Sequence, residues 1–66
     1  MICTVNAQPT ELPDGTTVEG LIKILGLGAA VCAAEVDKKI VPKRERSETV
    51  LRDGQSIEIV TLVGGG

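Results

Sequence analysis

The chain contains no histidine and no aromatic residue. Without histidine it lacks the commonest general base and the commonest metal ligand. Without Phe, Tyr or Trp it has no platform on which bases could stack, and its core must be built from Val, Ile, Leu, Ala and Cys. An excess of positive charge is missing too: 7 Lys and Arg stand against 9 Asp and Glu, a net charge of -2. That balance argues against a general nucleic-acid binder. No apolar run is long enough to cross a bilayer. Met1-Ile2-Cys3-Thr4 lacks the basic start and apolar stretch of a signal peptide. A cytoplasmic protein is therefore expected, with neither nucleic acid nor membrane as partner. The two cysteines, Cys3 and Cys32, lack CxxC spacing. In a reducing compartment they read as small buried hydrophobes rather than as a disulfide, a metal site or sulfur-handling thiols. Neither a catalytic residue nor a metal-ligand set is expected.

What is present is a globular composition in 66 residues, with 42% hydrophobic and 24% charged residues. A chain of this size hides about 60% of its unfolded surface, so one modest core is expected. Ile2 to Asn6 is short and β-branched and reads as a strand. Asn6-Ala7-Gln8-Pro9 reads as a turn, and Thr10-Glu11-Leu12 as a returning strand kept at a sheet edge by Pro9. Thr16 with Glu19 has the spacing of a capping box. Val18, Leu21, Ile22 and Leu25 follow at i, i+3, i+4 and i+7, one apolar helical face. Gly20 inside this helix suggests a close helix–sheet approach. Gly26-Leu27-Gly28 ends a helix instead of opening one, so it reads as a C-cap and not as a phosphate loop.

Val31 to Val36 reads as a third strand with Cys32, Ala34 and Val36 facing the core, because the other face carries Glu35. Asp37-Lys38 is a tight turn into Lys39-Ile40-Val41, which Pro42 ends. Lys43 to Thr49 reads as a loop with one helical turn, Val50-Leu51 as an apolar plug, and Arg52 to Gln55 as a turn. Ile57 to Val63 is the strongest strand pattern and too apolar for a simple edge. One helix with one apolar face requires one covering sheet, giving an α+β domain. The order ββαββ(loop)β, with the last strand beside the first, is a β-grasp arrangement: a mixed sheet of four to five strands with one main helix on one face. Residues 1–63 would form this single domain, and 64–66 a flexible glycine tail.

These features together resemble the ThiS family, small ubiquitin-like sulfur carriers of thiamin biosynthesis. The resemblance covers the whole chain. It rests on the first strand ending in Asn6, on Leu12-Pro13-Asp14-Gly15-Thr16-Thr17-Val18, on Ile40-Val41-Pro42-Lys43, on Asp53-Gly54, and on Ile57-Glu58-Ile59-Val60 running into Val63-Gly64-Gly65-Gly66. Asp37-Lys38 and Lys43 stand where the family often has Asn-Gly and Arg. The resemblance implies a carrier and not an enzyme. The Gly66 carboxylate would be adenylated by an E1-like adenylyltransferase of the ThiF type, and then converted to a thiocarboxylate. A thiazole synthase of the ThiG type would take up that sulfur. The chain itself would bind no cofactor; ATP and a sulfur donor, such as a cysteine desulfurase, would be used by its partners.

Adenylation supplies the leaving group that a carboxylate lacks, and the end of the chain must reach phosphate chemistry inside another protein. Gly64 and Gly65, lacking a Cβ, suit a tail that threads a narrow channel. Val60, Leu62 and Val63 cannot all face the helix if Ile57 and Ile59 do, so an apolar docking patch beside the tail is expected. Lys38, Lys39, Lys43, Arg44 and Arg46 form a basic stretch that reads as a solvated surface. Lys43 and Arg44 are its candidates for steering a partner. The same features serve a sulfur carrier for molybdopterin or for amino-acid or tRNA thiolation, and a ubiquitin-like protein modifier. A plain interaction domain with an idle tail is the third reading.

Overall fold

The computed structural model describes residues 1–62. They form strands β1 (Ile2–Val5), β2 (Gln8–Glu11), β3 (Cys32–Val36), β4 (Lys39–Ile40) and β5 (Ser56–Thr61), with one helix, α1 (Val18–Ile24), and a 3-10 turn at Lys43–Glu45. The sheet has five strands in the order β2-β1-β5-β3-β4. β5 lies parallel to β1 and antiparallel to β3, at the centre of the sheet. This is the β-grasp arrangement expected from the element order, and Pro9 does lie on an edge strand. The boundary placed after Val63 falls outside the described residues.

Both hairpins turn on two residues. Asn6 and Ala7 have φ of 48° and 69°, and Asp37 and Lys38 have 49° and 69°. Paired positive φ values match the right-handed twist of the flanking strands, which is why such turns join hairpins. The first turn is thus tighter than the four residues expected from sequence. Gln8 and Pro9 already pair with Val5 and Thr4. Proline fits there because its missing N–H would point away from the sheet.

The helix start is also displaced from its expected place. Thr17, not Thr16, is the N-cap: its side chain accepts from the Gly20 amide at 3.0 Å. The Thr16 hydroxyl instead donates backward to the Pro13 carbonyl at 2.6 Å. The capping box with Glu19 therefore does not form. Gly20 occupies the third helical position, where an added Cβ would meet the cap residue's own Oγ1 at 3.4 Å rather than the sheet. The helix ends as a Schellman motif at Gly26, φ 76°. There the Leu27 amide donates to Ile22 O at 3.0 Å and the Gly26 amide to Lys23 O at 2.9 Å. Leu25, assigned to the apolar face, is the C-cap and is exposed.

Val18, Leu21 and Ile22 of α1 pack on Cys3 and Val5 of β1, Cys32, Ala34 and Val36 of β3, and Ile57 and Ile59 of β5. Leu12, Val41 and Leu51 close the margins. Burying each large aliphatic side chain contributes about 1.5–3 kcal/mol. Leu51 is the plug expected from sequence, whereas its neighbour Val50 is exposed. Val50 instead bridges Thr17 through its backbone, tying the loop to the helix start. The thiols of Cys3 and Cys32 are free and buried. Among the described residues, no helix is long and apolar enough to cross a membrane.

Candidate functional site

The end of β5 is the place the sequence singles out, and the sheet leaves it unusually placed. β1 accompanies β5 only through Thr4–Ser56 and Val5–Ile57. Beyond Val5 the chain turns away, and Asn6 replaces a strand: its Oδ1 accepts from the Ile59 amide at 2.8 Å while its own amide donates to Ile57 O at 2.8 Å. Past that point β5 is paired on the β3 side, Ala33 facing Val60 and Cys32 facing Thr61. The Leu62 amide donates to Val31 O at 2.9 Å, so pairing runs to the last described residue.

Strand alternation sorts the apolar residues. Ile57 and Ile59 point to α1 and are buried, while Val60 (53% exposed) and Leu62 (59%) are not. Val60 shares the open face of the sheet with Ala33, which is exposed beside it. Val31 and Ile40 add exposed apolar surface at the same end and edge of the sheet. Sequence reasoning missed these two, since each looked like an ordinary strand residue. Their exposure follows from alternation: Val31 lies on the side of β3 opposite Cys32, and Ile40 pairs with Glu35 on the open face. Lower on the same open face, Glu35 and Glu58 lie directly opposite each other.

The basic residues divide. Lys43 and Arg44 are exposed on the 3-10 turn, and Arg44 has only a 3.9 Å contact with its neighbour Glu45. Lys43 lines a cleft that Val31 also lines, which brings it to the end of the sheet where Leu62 is held. Arg46, grouped with the solvated stretch in the sequence, is buried. Its Nη2 donates to Cys32 O at 2.6 Å, and its Nη1 lies 3.9 Å from Cys32 Sγ. A stretch of mixed charges carries no periodic signal that would single out one member for burial. Val63, Gly64, Gly65 and Gly66 lie outside the described residues. Among the described residues, no group of three or more His, Cys, Asp or Glu side chains is placed to hold a metal ion.

Comparison with known proteins agrees with this arrangement. The model of the ThiS family matches residues 3–66. The chain is 33% identical over 66 residues to a protein named thiazole synthase from Paramagnetospirillum magneticum, matching 100% of this chain and 20% of that protein. It is 36% identical over 62 residues to a thiazole synthase from Magnetococcus marinus, matching 94% of this chain and 19% of that one. It thus spans about a fifth of the length of these curated relatives. Among solved structures, a thiamine biosynthesis protein (ThiS) from Geobacter metallireducens superposes with a TM-score of 0.84 at 25% identity, over 100% of both chains.

Proposed function

The chain belongs to the ThiS family, and from that membership we propose that it is a sulfur carrier of thiamin biosynthesis that works through the Gly66 carboxylate. The observation that carries this reading is the extent of the family match, residues 3–66, which takes in Gly64, Gly65 and Gly66. An E1-like adenylyltransferase of the ThiF type joins the carboxylate to the adenylyl group of ATP, releasing pyrophosphate. A sulfur donor, of which a cysteine desulfurase is one kind, then supplies the atom that replaces AMP. The resulting thiocarboxylate gives its sulfur to a thiazole synthase of the ThiG type. Resemblance to a segment within proteins named thiazole synthase supports that last step.

The geometry suits a carrier in one further respect. β5 is held by β1 at its start and by β3 along its length, with the Leu62 amide still donating to Val31 O, so the strand is anchored up to the last described residue. Val60 and Leu62, exposed at that end, are the proposed docking surface, with Lys43 and Arg44 as steering charges.

The test is the intact mass of the protein after incubation with ATP, a ThiF-type enzyme and a sulfur source. The expected product carries one sulfur in place of one oxygen, mapped to Gly66. An unmodified chain, beside a related carrier that is modified in the same mixture, overturns the reading. Isopeptide-linked adducts on other proteins would identify a modifier instead. Leu62→Asp is expected to stay folded and lose affinity for the activating enzyme. Lys43→Glu with Arg44→Glu is expected to slow association while leaving the chemical step unchanged, seen as a loss of salt dependence in stopped-flow binding.

A further inference from the structure

Arg46 is the one charged side chain that is buried among the described residues, at 9% exposure. It forms no ion pair with any described carboxylate. Its Nε has no hydrogen-bond partner there, and its remaining contacts are a neutral carbonyl and a thiol, both from Cys32. Removing a guanidinium from water is unfavourable unless an anion or a full set of acceptors compensates. Here one strong neutral acceptor compensates only in part.

The same side chain forms part of the wall of a cleft of about 200 Å³ between the loop after α1, the start of β3 and the 3-10 turn. Lys43 contributes a second cation to its lining. The loop side is made of Gly28, Ala29 and Ala30, whose small side chains keep the space open. Glu19 also lines the cleft, but its carboxylate is not within ion-pair distance of Arg46 or Lys43. The cleft therefore has two cations and one carboxylate, and its most buried charge has no ion-pair partner among the described residues.

We propose that this cleft is an anion site, taking one phosphate- or carboxylate-sized oxyanion between Arg46 and Lys43. Arg46 supplies a fixed, pre-oriented guanidinium, held by Cys32 O. Lys43, exposed on the 3-10 turn, supplies a second charge in the wall of the cleft. The anion comes from solution. The site does not depend on the sulfur-carrier reading.

The experiment is a titration of the full-length, ¹⁵N-labelled chain with inorganic phosphate at constant ionic strength, followed by NMR. The amides of residues 29–32 and the Arg46 side-chain N–H are expected to shift together and to saturate, with a Kd of order millimolar. Lys43→Gln, on an exposed turn that leaves the core intact, should weaken binding roughly threefold or more. Arg46→Gln should abolish it, provided its amide dispersion shows a folded chain. Shifts that do not saturate, or that survive in Lys43→Gln and in a folded Arg46→Gln, overturn the proposal. So does an Arg46 resonance that answers to Glu19→Gln and to no added anion, because the cleft then holds an internal ion pair.

Discussion

A single side chain does the work of a missing strand at Asn6. Its backbone sits in the left-handed region, its amide continues the ladder to β5, and its side-chain oxygen takes the Ile59 amide. Asn is among the few residues that accept both demands. Asn6→Ala is expected to cost about 1–3 kcal/mol, from a stranded donor and a strained φ. Asn6→Gly should cost less, because it restores the backbone freedom and loses only the hydrogen bond. Urea denaturation followed by circular dichroism would order the three proteins, and equal midpoints for Ala and Gly would reject the conformational part. The sequence marked Asn6 as a strand end but not as a ladder partner, because a contact with Ile59 leaves no trace in local pattern. Arg46 was hidden for the same reason: its partners are Cys32 and the loop before it, far away in sequence.

The elements themselves were far more legible. The apolar face of α1, the core face of β3 and the buried pair Ile57 and Ile59 all follow from periodicity, which burial on one side dictates. Where the reading slipped at an element boundary, it slipped by one or two residues. Thr16 and Thr17 offer the same hydroxyl, and the choice between them is made by Thr16 bonding to Pro13. Thr17→Ala is therefore expected to destabilise the domain by about 1 kcal/mol, as loss of a cap does. Thr16→Ala should do so less, since its hydroxyl bond is exposed and solvent can replace it. Reversed magnitudes in the same denaturation assay would return the cap to Thr16. The hairpin turns make the opposite prediction. Ala7 and Lys38 occupy positive φ without being glycine, so Ala7→Gly should stabilise by up to about 1 kcal/mol once the greater freedom of glycine when unfolded is subtracted. In the sheet, the opposed Glu35 and Glu58 repel across the central strand pair. Glu58→Gln should raise the midpoint by a few tenths of a kcal/mol, and the gain should shrink in high salt.

At the scale of the whole molecule, the absence of aromatics leaves one aliphatic core, and its centre is Val18, Leu21 and Ile57, all 0% exposed. A chain of 66 residues has a total stability of roughly 3–10 kcal/mol. Leu21→Ala, at about 2–5 kcal/mol, should bring a large part of the population to the edge of unfolding, visible as a fall in thermal midpoint. A two-layer domain with one helix and a central last strand followed from the order of elements together with the apolar run of the last strand. The open face was legible only in outline: Val60 and Leu62 had to point somewhere, but Val31 and Ile40 joined them only once the pairing of β4 and β5 with β3 was known. The position of β5 also has a mechanical meaning. β1 flanks only its start, while β3 pairs with it from Ile57 to Thr61, so a pull on its C-terminal end runs along the strand and loads the β3 ladder in shear. The ladder bonds must then give way together, where an edge strand peeled from one end would lose them one by one. Tension applied at Leu62 is therefore carried by several bonds at once instead of by the outermost one alone.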